Sequence, residues 1–77
     1  VQDRLVALMI EIVENLEIST SLLSTVLDVI EPLRDMRFKP LLPTLKLFDE
    51  GYDARNEFNR GTHVAVVSRA IIDSLSP

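Results

Sequence analysis

Apolar residues recur along this chain at the spacing of an α-helix, and the stripes they form are wide for so short a sequence. At 100° per residue, positions 2–16 bring Leu5, Met9, Ile12, Val13 and Leu16 to one face. Val6, Leu8 and Ile10 widen that arc to roughly 200°, about twice what a lone surface helix needs. A helix of this kind is expected to touch more than one neighbour. Ser19, Thr20 and Ser21 then interrupt the pattern, and each can cap a following helix through its hydroxyl. That second helix carries Leu22, Leu23, Val26, Leu27, Val29, Ile30 and Leu33, opposite Ser24, Asp28, Glu31 and Asp35. Pro32 falls on the polar side, so the helix is expected to reach Ile30 at least, or Arg37 with a bend.

Phe38-Lys39-Pro40-Leu41-Leu42-Pro43 is the main break in the pattern. Residues that precede proline avoid the α region, so Lys39 and Leu42 are expected to be extended. Pro43 suits the first turn of a third helix, in which Leu41, Leu45, Phe48 and Tyr52 share one face. Gly51 costs about 1 kcal/mol relative to Ala inside a helix, which marks Asp49 to Gly51 as a point where it can break. Gly61 and Thr62 read as a helix end followed by a cap, and Val64, Val67, Ile71 and Leu75 stripe a last helix. Val66, Ala70 and Ile72 leave that helix little polar face, which predicts a central or interface position. Val64 to Val67 has strand composition, but one four-residue strand without a partner is not a viable sheet.

These elements predict an all-α fold, a small four-helix bundle or two packed αα-hairpins, with the third helix open to a break near Gly51. The predicted organisation is one domain over residues 1–77: a hairpin over 1–38, a Pro-flanked linker over 38–43 and a hairpin over 43–75. The start within a helical pattern, without an initiator Met, suggests a domain excised from a longer protein. A chain of 8.7 kDa should expose roughly 4,700 Å² when folded, which leaves one modest core. No run approaches the roughly 18 apolar residues of a membrane span. A soluble, cytoplasmic domain is expected.

Composition narrows the chemistry. Twelve acids against eight bases give a net charge of −4, which opposes nonspecific phosphate or anionic-lipid binding. The lack of cysteine removes thiol catalysis, disulfides and thiolate metal sites. His63 is the single histidine, too few with carboxylates alone to predict a transition-metal site. As an acid–base group it would need a positioned partner. Asp49, Glu50, Asp53 and Glu57 concentrate carboxylates on the third helix, but Lys46 and Arg60 share that arc and Lys46–Glu50 has ion-pair spacing. A solvated face is expected there.

The function expected on these grounds is a non-enzymatic helical module for protein–protein interaction or oligomerisation, working through exposed apolar helix faces. Leu47, Phe58, Val64, Val67, Ile71 and Met9 are the expected interface. The partner is a protein, either a second copy in a homodimer or an amphipathic helix of another chain; no cofactor is expected. Arg34, Arg37 and Lys39 form a candidate contact for an anion or an acidic peptide, although cations there also suit a helix C-terminus. Two other classes stay open: a small enzyme subunit using His63, and a nucleic-acid accessory domain using the Arg34–Lys39 cluster with Arg55.

Overall fold

Caps and buried side chains set where each helix of this chain starts and stops. A computed structural model describes residues 2–15, 17–50 and 63–76. The α-helices are α1 (Asp3–Glu14), α2 (Thr20–Leu33), α3 (Leu42–Asp49) and α4 (His63–Leu75), with a 3-10 helix (Met36–Leu41) between α2 and α3. Among the described residues there is no strand, and the fold is the all-α one that the periodicity predicts. No helix of the described residues is long and apolar enough to cross a membrane. After α1, Asn15 Oδ1 accepts the Glu17 N–H at 2.9 Å and turns the chain. Ser19 then caps α2, its hydroxyl accepting the Leu22 N–H at 3.2 Å.

Pro32 is accommodated one residue before the end of α2, and the helix stops at Leu33 without the bent extension to Arg37. Arg34 terminates it in the left-handed region, at φ 49° and ψ 41°. That conformation costs a non-glycine residue on the order of 1 kcal/mol, so the turn must be held from outside. Asp35 does part of this. Its carboxylate accepts the Arg37 N–H at 2.9 Å and starts the 3-10 helix.

The proline segment departs from the sequence expectation. Lys39 lies within the 3-10 helix, and Leu42 is α-helical at φ −53° and ψ −44°. Both precede proline, so both sit where local sterics disfavour them. Burial outweighs that preference: Phe38 and Leu41 are completely buried, and each apolar side chain so placed contributes roughly 1.5–3 kcal/mol. The expected extended linker is instead a compact turn that runs directly into α3. Pro43 takes an early position in that helix, as expected. α3 ends at Asp49, where the Glu50 N–H returns to the Lys46 carbonyl at 3.1 Å. Gly51, Tyr52, Asp53, Arg55, Glu57, Phe58, Arg60, Gly61 and Thr62 lie outside the described residues.

One core joins every element. Val6, Met9 and Val13 enter it from α1, Leu23, Leu27 and Ile30 from α2, Phe38 and Leu41 from the 3-10 helix, Leu45 and Phe48 from α3. Val64, Val67, Ile71 and Leu75 complete it from α4. α4 packs against both α2 and α3 and touches the 3-10 helix, while α1 lies on α2 and the 3-10 helix. The narrow polar face of α4 therefore reflects a central position within the chain. This corrects the expected interface: Met9, Val64, Val67 and Ile71 are core residues, each at most 6% exposed. Ser68 of α4 is also fully buried, with its hydroxyl unpaired. An orphaned buried hydroxyl costs roughly 1–3 kcal/mol, which the surrounding apolar packing must offset.

Candidate interaction surface

With the core assigned, the apolar side chains left outside it can be placed on each helix. On α1, Leu5 and Leu8 are 46% and 49% exposed and Ile12 is half-buried, at i, i+3 and i+7. On α2, Leu22 and Val29 are 45% and 50% exposed. Half-buried Val26 and Leu33 complete an i, i+4, i+7, i+11 line with them. At 100° per residue, each line is centred roughly 95° from the buried stripe of its own helix. Leu5, Leu8, Leu22 and Val29 thus meet water, whereas Val26 and Leu33 also pack against the core. The two helices pack on each other.

The charge on this hairpin is one-sided. Asp3, Glu11, Glu14, Glu17, Asp28 and Glu31 face a single base, Arg4. Arg37 pairs with Asp3, and His63 is hydrogen-bonded to Asp28. Glu11, Glu14, Glu17 and Glu31 remain against Arg4. At 100° per residue Arg4 and Glu11 flank the Leu5–Leu8–Ile12 line together, whereas Glu14 and Glu31 fall on the far sides of their helices.

Other exposed apolar side chains are solitary. Leu47 is exposed on α3, as expected of an interface residue, but no second large apolar residue lines up with it among the described residues; Phe58, its expected companion, is outside them. Val66 of α4 stands between His63 and Arg69, and Met36 opens the 3-10 helix. Single exposed residues of this kind are ordinary on any surface.

The basic cluster is divided by the fold. Arg34 sits exposed on the left-handed turn, and Lys39 is exposed on the 3-10 helix. Arg37 is committed to carboxylates: its Nη1 donates to Asp3, its Nη2 to Asp35, and its Nε to Asp35 at 3.0 Å. The Arg37 guanidinium beside Asp35 holds that carboxyl down at about 2, against an ordinary 3.8, and the same contacts raise the arginine. Arg37 therefore ties the start of α1 to the start of the 3-10 helix. An incoming anion would have to displace two carboxylates that it already binds.

His63, at the start of α4, does find an acidic partner. Its Nε2 lies 2.6 Å from Asp28 Oδ1 on α2, beside an open depression of about 350 Å³ lined by Thr20, Ser21, Ser24, His63 and Val64. The histidine and the aspartate are 59% and 51% exposed, so water competes for both and the pair is worth about 0–1 kcal/mol. The Nε2 hydrogen bond of His63 goes to the Asp28 carboxylate. Asp49 pairs with Arg69 across α3 and α4 at 3.2 Å, in place of the expected Lys46–Glu50 pair. No group of three or more metal-ligating side chains occurs among the described residues.

The surface that the core leaves free was present in the sequence as a second i, i+4, i+7, i+11 line beside the first on α2. Comparison with known proteins adds nothing to this geometry: no family model, curated protein or solved structure matches the chain.

Proposed function

We propose that this chain is a non-enzymatic helical interaction module, and that its binding surface is the outward side of the α1–α2 hairpin. The carrying observation is that Leu5 and Leu8 on α1 and Leu22 and Val29 on α2 stay about half exposed at helical spacing, on helices whose buried stripes already fill the core. Aligned, half-exposed apolar residues on adjacent helices are the form in which a protein presents a docking face. Its occupant is a second copy of the chain or an amphipathic helix of another protein.

Charge-neutral variants test this surface. Leu8→Gln with Val29→Gln removes apolar area from both lines and leaves the net charge at −4. Val66→Gln is the control on α4. Used as baits in an extract of the cells that make the protein, wild type and Val66→Gln should retain the same partner, and the double variant should lose it. Equal capture by all three baits, with circular dichroism showing each folded, would place the binding surface elsewhere.

The alternative of a small enzyme subunit draws on the His63–Asp28 pair alone. It offers a half-exposed imidazole beside an open depression and no enclosing cavity, and we rank it second for that reason.

A further inference from the structure

We infer that α1 is a hinged cover, which opens as a unit while α2, the 3-10 helix, α3 and α4 stay folded. This motion is separate from the proposed binding surface and does not rest on it. The first ground is packing. α4 packs on α2, α3 and the 3-10 helix; α1 is outside that set and lies on α2 and the 3-10 helix. Val6, Met9 and Val13 are what α1 adds to the core, and the other core side chains belong to elements that α4 joins without it. α1 buries three of its twelve residues, where α4 buries six of thirteen. A helix with few buried apolar contacts is where a protein opens locally before it unfolds as a whole. Opening α1 uncovers the side of α2 and of the 3-10 helix on which it lies.

The second ground is how the ends of α1 are held. Gln2 precedes the helix without a side-chain cap, whereas Ser19 caps α2. At the other end Asn15 is extended, at φ −77° and ψ 114°, and its Oδ1 accepts the Glu17 N–H. That turn separates α1 from the Ser19 cap, so the hinge lies outside both helices. Arg37 ties the first turn of α1 to the 3-10 helix through Asp3. The Asp3 side chain is 93% exposed and that of Arg37 39%, so water competes for the pair. A pair of this kind shifts an equilibrium by about fivefold at most. When Asp3 leaves, Arg37 keeps Asp35, and opening strands no charge without a partner.

Native-state hydrogen exchange on the intact chain, followed amide by amide in low urea, tests the cover. The hydrogen-bonded amides of α1 should share one protection, about tenfold or more below that of the slowest amides of α2 and α4. Urea should change α1 exchange less steeply, because opening one helix exposes less surface than global unfolding. Ile71→Val is the deciding variant, since it trims a buried side chain of α4 whose packing persists when α1 is open. It should speed the slowest amides of α4 by about two- to twelvefold and leave α1 unchanged. Asp3→Asn should speed α1 exchange by up to about fivefold, a difference that about 1 M salt removes.

Equal protection and equal urea dependence in α1 and α4 would show one global opening and overturn the inference. An α1 that Ile71→Val accelerates as much as α4 would do the same. Rates that grade smoothly inward from Asp3 would show fraying of one end, which also overturns it.

Discussion

At the scale of single residues, the turn after α2 shows how charge positions backbone. Arg34 adopts a left-handed conformation that its side chain does not favour, and the next residue, Asp35, caps the 3-10 helix while gripping Arg37. The Asp35 carboxyl is depressed in the folded chain to about 2 from 3.8. Its contribution is therefore complete above the unfolded value and is lost as pH falls from about 4 toward 2, because the unfolded chain takes up the proton first. Arg37 stays charged throughout that window. Urea unfolding at about pH 6 and about pH 2.5 should show wild type losing more stability on acidification than Asp35→Asn. Equal acid losses in the two proteins would mean that the carboxylate does not hold the turn. The sequence shows the cluster of bases here, and it was open to an anion-binding or a helix-capping role. It could not show that Asp3, more than thirty residues away, would close on Arg37; that pairing exists only once α1 lies against the 3-10 helix.

At the scale of elements, the hydroxyl run before α2 and the proline opening α3 were legible, because each is a local preference that tertiary packing does not oppose, whereas a break near Gly51 was left open. The Phe38–Pro43 segment was not. Local sterics ask for extended residues before each proline, and burial of Phe38 and Leu41 asks for a compact turn; burial prevails. Phe38→Ala should accordingly cost about 3–5 kcal/mol, a large part of the roughly 4–12 kcal/mol that a chain of this length commands. Thermal unfolding should show the variant severely destabilised or unfolded at 37 °C, with Lys39→Ala close to wild type as the exposed neighbour. A loss below about 1 kcal/mol in Phe38→Ala would mean that Phe38 does not anchor the turn.

For the whole molecule, the fold class followed from helical periodicity, but the assignment of apolar faces did not. A broad stripe has two physical origins: a helix surrounded by others in its own chain, or one that also meets a partner. α4 belongs to the first kind, with α2 and α3 on it, so Val64, Val67 and Ile71 are spent internally. α1 and α2 retain Leu5, Leu8, Leu22 and Val29 on faces that the core does not use. Periodicity gives the breadth of a stripe and not the number of neighbours waiting for it, which is why Met9, Val64, Val67 and Ile71, expected at an interface, lie in the core.

The exposed apolar residues of α1 and α2 lead to the central claim, the proposal that this module binds through them. Light scattering on the eluting protein, from about 5 to 500 μM at physiological salt, together with the capture experiment on wild type, Val66→Gln and Leu8→Gln with Val29→Gln, measures this directly. The account predicts that the association the wild type shows, with itself or with a captured partner, is kept by Val66→Gln and lost by the double variant. Association that survives in the double variant would contradict it.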